Sequence, residues 1–348
     1  MSPLVVTIFL LTLGLGTTIT FMSSNWLLAW MGLEINTLAM IPLMAHQYHP
    51  RAVEATAKYF VTQAAAAAVI MFASATNAWL TGQWNIFQMT EPFPLALLTV
   101  GIGFKLGLAP MHTWLPEVLQ GLDLVTGLIL STWQKLAPFA LLLQVQPPDP
   151  SMLILLGLAS TVLGGWGGMA QTQLRKILAY SSVAHLGWMI LVLQFSPTLT
   201  LLTLLVYFVM TFSAFITFKL KNALTINALS TSWAKSPLVT IFTPLVLLAL
   251  GGLPPLLGFM PKWLILQELT KHNLGLTALA AALSALLSLY FYLRLSYALT
   301  LTMSPNVLSA TTPWRTPPSG KAFPLSLSTV LTMLLLPLTP AVLALFTS

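Results

Sequence analysis

The chain has 348 residues, 57% of them hydrophobic and 6% charged, with 14 Lys+Arg, 7 Asp+Glu and no cysteine. So few charges cannot cover a water-soluble globule of this length, and so apolar a chain is not disordered. The lack of cysteine excludes Cys-ligated iron–sulfur clusters, disulfides and thiol catalysis, and basic residues scattered along the chain do not form a nucleic-acid-binding face.

A helix crossing a bilayer needs about 20 apolar residues. The pattern predicts an all-α polytopic membrane protein of about eleven spans, near 3–21, 25–44, 55–79, 93–113, 122–145, 150–171, 175–194, 198–220, 236–270, 275–300 and 324–346. Ser23-Ser24-Asn25 separates the first two spans, and Phe195-Ser196-Pro197 the seventh from the eighth. The N-terminus lacks the basic residues of a cleavable signal. Span 4 carries Gly101, Gly103, Gly107 and Pro110. Span 9 carries Gly251-Gly252-Leu253-Pro254-Pro255 and Gly258-Phe259-Met260-Pro261. Both are predicted to be broken helices. Gly164-xxx-Gly168 suits close helix packing. The largest piece outside the membrane is 301–323, with Pro305, Pro313, Pro317 and Pro318.

The loops joining spans 2–3, 6–7, 8–9 and 10–11 carry Arg51, Lys58, Arg175, Lys176, Lys219, Lys221, Lys235, Arg315 and Lys321. Arg294, near the end of span 10, falls on the same side, and the opposite side has Lys271. This segregation predicts the N-terminus on the inner, positive face and the C-terminus outside.

Three lysines remain, Lys105, Lys135 and Lys262, each inside a predicted span, with Glu34 in the middle of span 2. Each intramembrane charge costs about 2.5–3.5 kcal/mol even on the lenient insertion scale. Static ion pairing, for example Glu34 with Lys105, is the bland explanation, but one acid cannot neutralise three lysines. An ammonium taken out of water gives up its proton more readily, and a nearby carboxylate opposes that release. A row of one acid and three lysines is therefore a set of coupled proton sites. Metal-ion transport needs clustered carboxylates and carbonyls instead. His112, at the span 4 break, and His185, in span 7, are either buried neutral groups or relays between proton sites. His46 and His49 are a weak metal signal, and His272 lies in a loop. His185 has no same-helix partner for haem ligation.

Five segments carry a family resemblance: 25–36 with Glu34; 105–118, from Lys105 through Pro110, His112 and Trp114-Leu115-Pro116-Glu117; 132–138 with Lys135; 175–187 with His185; and 251–263 with Lys262. Together they resemble, in order and over essentially the whole chain, the chain 2 family of animal mitochondrial NADH–ubiquinone oxidoreductases. The resemblance implies an antiporter-like, non-redox membrane subunit of respiratory complex I, in the mitochondrial inner membrane, with its N-terminus in the matrix and its C-terminus in the intermembrane space. It implies a single membrane domain of two inverted five-helix repeats (1–146 and 147–300) followed by a loop and one C-terminal helix (301–348). Met111-x-x-Trp114-Leu115 is echoed by Met260-x-x-Trp263-Leu264, a register that does not pair Lys105 with Lys262.

The implied proton path runs through Glu34, Lys105, Lys135 and Lys262 over internal water, with His112 and His185 as further candidates. The implied partners are other membrane-arm subunits, chain 4 and chain 4L among them, and phospholipids, with no nucleic acid. No cofactor is expected in this chain; FMN, iron–sulfur clusters and ubiquinone would belong to other subunits. A stand-alone cation/proton antiporter of the same fold is the alternative, and a purely structural role is a second.

Overall fold

In the computed structural model, residues 2–46, 49–145, 149–234, 237–301 and 322–347 are described. Apolar composition and the need to satisfy every backbone polar group internally favour helices throughout. The described residues form no strand; sixteen α-helices and short 3-10 turns follow one another. The chain divides into two compact units, Met1–Leu156 and Gly157–Ser348. Among the described residues, seven helices are long and apolar enough to cross a membrane, or eight with the bent pair Phe323–Leu334 and Leu336–Ala344.

The first unit opens with α1 (Pro3–Met22), α2 (Trp26–Met44) and α3 (Pro50–Thr81). A broken span follows, α4 (Pro92–Leu106) and α5 (Trp114–Gly121), then α6 (Leu124–Ser131) and α7 (Trp133–Gln144). α8 (Ser151–Met169) carries the chain into the second unit, which continues with α9 (Leu174–Val192), α10 (Pro197–Lys221) and the short α11 (Ile226–Ser230). A second broken span, α12 (Pro237–Gly251) and α13 (Phe259–Lys271), precedes α14 (Gly275–Leu301), α15 (Ala322–Leu334) and α16 (Thr339–Thr347).

Each unit repeats the same construction. Its first two helices meet glycine to glycine. A Cβ on Gly16 would lie 2.9 Å from the Gly32 carbonyl, and one on Gly187 would lie 2.8 Å from that of Gly157. Such small residues let backbones approach where no water drives the helices together. The start of each unit's second long helix is pinned to the chain just beyond the third by two backbone hydrogen bonds. Trp26 donates to Trp84 and Ile86 to Ser24 in the first unit; Leu174 donates to Leu224 and Ile226 to Thr172 in the second. Threonine and serine hydroxyls fold back onto carbonyls three or four residues earlier, as Thr17, Thr20 and Ser23 do in and just after α1, so they add no unmet donor to an apolar span.

The structure departs from the predicted elements in four places. α3 begins at Pro50, with His49 accepting a hydrogen bond from the Arg51 amide, so Arg51 and Lys58 lie in a helix rather than a loop. Arg175, Lys176, Lys219 and Lys221 likewise sit within the terminal turns of α9 and α10. Span 5 is interrupted at Thr132. The Leu128 carbonyl accepts from the Thr132 amide and from the hydroxyls of Ser131 and Thr132, and side-chain donors competing for a helix carbonyl bend it. The last span bends by 66° at Leu335, two residues before Pro337. Lys235, Arg315, Lys321 and the prolines of the 301–323 segment lie outside the described residues.

Candidate functional site

Both broken spans break in the same way. α4 ends at Gly107, φ +79°, with the Leu108 amide bonded to the Gly103 carbonyl at 2.9 Å. α12 ends at Gly252, φ +82°, with the Leu253 amide bonded to the Leu248 carbonyl at 3.3 Å. This left-handed terminus is one that glycine adopts without a Cβ penalty. Pro110 and Pro254-Pro255 then prevent the helix from resuming at once.

Aligning the two left-handed glycines pairs Leu108 with Leu253, Pro110 with Pro255 and Pro116 with Pro261. The Met111/Met260 echo is therefore the wrong register. In the structural one, Lys262 corresponds to Glu117 and Lys105 to Leu250. Each break thus carries one intramembrane lysine, Lys105 before it in the first unit and Lys262 after it in the second.

Lys105 lies in the last turn of α4, 6% exposed. Its Nζ stands 3.9 Å from Glu34 Oε1, close enough for attraction and too long for a hydrogen bond. Glu34 is held by Thr37, whose hydroxyl donates to the Glu34 backbone carbonyl at 2.8 Å and to its carboxylate at 3.2 Å. The Glu34 side chain keeps 23% of its surface exposed, so the acid sits at the edge of the unit and the lysine inside it. Trp114 closes the break by donating its indole N–H to the Phe104 carbonyl, which also accepts from the Gly107 amide.

Lys135 stands in the first turn of α7, just past the Thr132 interruption, and is 3% exposed. It lines, together with Lys105, a small cavity of about 20 Å³ walled also by Asn36, Thr37, Tyr59, Gln63, Trp114 and Gln134. That is room for about one water. His112, in the turn between α4 and α5, does not line this cavity.

Lys262 stands in the first turn of α13 and reaches back across the break. Its Nζ donates to the Gly251 carbonyl at 2.9 Å. A cation at the C-terminal end of α12 is favourably placed against the helix dipole. A second, smaller cavity of about 10 Å³ joins Lys262 to His185, Ser181, Ser288 and Tyr292. The His185 ring lies 5.5 Å from that of Tyr207.

The structure therefore brings Glu34, Lys105 and Lys135 together in the first unit, and Lys262 and His185 together in the second. His112 lines neither cavity. The structure adds Asn36, Tyr59, Gln63 and Gln134, none of which charge counting could find. Their signal in the sequence is a carboxamide or phenol within a span at the depth of a charged residue: Asn36 is two positions from Glu34, and Gln134 is next to Lys135. Among the described residues no group of three His, Asp or Glu side chains is placed to hold a metal ion.

This arrangement of buried lysines beside broken helices is that of a proton-antiporter-type membrane protein. The chain belongs to the NADH:quinone oxidoreductase/Mrp antiporter transmembrane family, which residues 23–288 match. Residues 289–343 match the NADH dehydrogenase subunit 2 C-terminus. Its particular similarity is to NADH-ubiquinone oxidoreductase chain 2. It is 68% identical to that chain of Tetraodon nigroviridis over 346 residues, 99% of each protein. It is 66% identical to that of Salmo salar over 348 residues, the whole of each. It superposes on a chain of respiratory complex I from Thermus thermophilus, solved with bound aureothin, with a TM-score of 0.88 and 31% identity, covering 99% of this chain and 80% of that one.

Proposed function

We propose that the chain works as a membrane-arm subunit of respiratory complex I and moves protons outward across the mitochondrial inner membrane, driven by quinone reduction elsewhere in the complex. It performs no redox chemistry itself. Its N-terminus faces the matrix and its C-terminus the intermembrane space. Other membrane-arm subunits, including chains 4 and 4L, flank it.

The observation that carries this reading is the shared burial of Lys105 and Lys135 around one small polar cavity, with Glu34 3.9 Å from Lys105. A carboxylate approaching a buried ammonium holds its proton in place, and its withdrawal favours release. Glu34, part-exposed at the edge, is the group that a neighbouring subunit's charge can reach. Lys135 is the central store. Lys262, with the Gly251 carbonyl as its resting partner, passes the proton on, and His185 beside it is the candidate relay. Work against the membrane field is about 2.3 kcal/mol per charge per 100 mV. Changes of one or two pKa units supply comparable energy.

The test is Lys262→Met in purified, vesicle-reconstituted complex. The expected result is fewer protons delivered per NADH, or stalled turnover, with normal assembly. Wild-type turnover at the wild-type ratio would remove Lys262 from the path. The rival reading, a stand-alone cation/proton antiporter, requires ion exchange by this chain alone in liposomes.

A further inference from the structure

Asn36 is 2% exposed, and neither its amide nitrogen nor its carbonyl oxygen has a hydrogen-bond partner among the described residues. An unmet carboxamide in an apolar interior costs stability, and a leucine of similar volume would avoid that cost. Yet α1 is shaped to admit it. A Cβ on Gly16 would stand 2.6 Å from Asn36 Oδ1, so only glycine leaves room for the amide. The backbone carbonyl of Asn36 is fixed by Gln134, whose side chain donates to it at 3.4 Å. Asn36 lines the cavity that Lys105 and Lys135 share, with Gln63 and Tyr59 on its wall. Lys105 Nζ, inside the same cavity, also lacks a hydrogen bond among the described residues.

We propose that Asn36 is a positioning residue, binding and orienting one water molecule through which Lys105 and Lys135 exchange a proton. The water oxygen accepts from the Lys105 ammonium, one water O–H points at the neutral Lys135 amine, and the other donates to Asn36 Oδ1. In the transfer the Lys105 N–H bond breaks as an O–H bond forms, while the water's own O–H bond to the Lys135 side breaks as an N–H bond forms. One proton moves, the water is regenerated, and no other reactant is needed. The cavity holds about one water, and the three groups facing it supply the two to four polar partners that such a water requires.

The assignment rests on the proton path of the preceding section, and the test separates the two. Asn36→Leu and Asn36→Ser are compared with Lys135→Met in reconstituted complex. The readouts are proton delivery per NADH, turnover per assembled enzyme and the solvent deuterium effect. Asn36→Leu should assemble normally yet slow coupled proton delivery roughly tenfold, with a larger deuterium effect. Asn36→Ser puts a hydroxyl in place of the amide, leaves space for water and should stay within about threefold of wild type. Wild-type delivery by Asn36→Leu, with Lys135→Met impaired, overturns the role of Asn36 alone. Wild-type behaviour of both overturns the path itself. If Asn36→Leu and Asn36→Ser are equally impaired in assembly with normal turnover per assembled enzyme, Asn36 is only structural and the assignment fails.

Discussion

Lys105 and Lys135 are 6% and 3% exposed, and the Glu34 carboxylate stands 3.9 Å from Lys105. Exchanging Glu34 for glutamine keeps the shape and the Thr37 contact but removes the charge. Coupled NADH oxidation of the assembled complex is expected to fall by about tenfold or more, the size of effect that one positioned proton group commands. A fall confined to assembly, with normal rate per enzyme, would make the pair structural. Gly16 gives a stability test at the same scale. Gly16→Ala drives a methyl group into the Asn36 amide, and overpacking of this kind costs about 1–3 kcal/mol. Gly14→Ala, two residues earlier with open space around its Cβ, should leave thermal unfolding unchanged. The charged residues were legible in the sequence because a lysine or glutamate inside twenty apolar residues has no packing rationale. Asn36 was not. An asparagine in a membrane helix has an ordinary role as a bridge between helices, and only the fold shows that it borders the cavity of Lys105 and Lys135.

At the scale of the helix, the two breaks are the same device. Glycine takes φ +79° and +82° at positions 107 and 252, and proline follows two or three residues later. An L-residue in that conformation costs about 1–2 kcal/mol. Gly252 bears a further constraint, since its Cβ would stand 3.0 Å from Lys262 Nζ, the tip of the side chain that caps α12. Gly107→Ala meets Leu115 Cδ1 at 3.2 Å and Trp114 Cζ2 at 3.5 Å, and no charged group among its nearest atoms. Both substitutions should lower the melting temperature of the isolated complex, and Gly252→Ala should in addition impair proton delivery, because it moves the lysine. Equal effects of the two on pumping would argue against the Lys262–Gly251 contact. The sequence marks these breaks openly through Gly-Leu-x-Pro. It hides the Thr132 interruption, where no glycine or proline stands. That break comes from three donors sharing the Leu128 carbonyl, and hydroxyls are too common in membrane helices to flag it. The bend at Leu335 was more readable, with Pro337 two residues beyond.

For the whole chain, two compact units each carry three continuous helices, then a broken one, then a further span. The glycine-to-glycine contact, the two-bond backbone pin and the left-handed break recur in both. They support the reading of two five-helix repeats that place their charges differently: Lys105 stands where the second unit has Leu250, and Lys262 where the first has Glu117. The Glu117 carboxylate is exposed and pairs at 2.8 Å with Lys58, which also meets Glu54 at 2.9 Å. These pairs are 43–64% exposed at the side chain and so worth little to stability. Lys58→Met should therefore leave the melting temperature nearly unchanged and proton delivery intact, in contrast with the buried lysines.

The central claim is that buried lysines carry protons rather than merely fill space. It is tested most directly by measuring protons delivered per NADH by reconstituted complex bearing Lys135→Arg beside Lys135→Met. Arginine keeps the positive charge and the length but does not release its proton. Both variants are expected to assemble, and both to deliver fewer protons per NADH or to stall. Wild-type turnover and wild-type proton delivery by Lys135→Arg would mean that a fixed cation suffices there, and would contradict that claim.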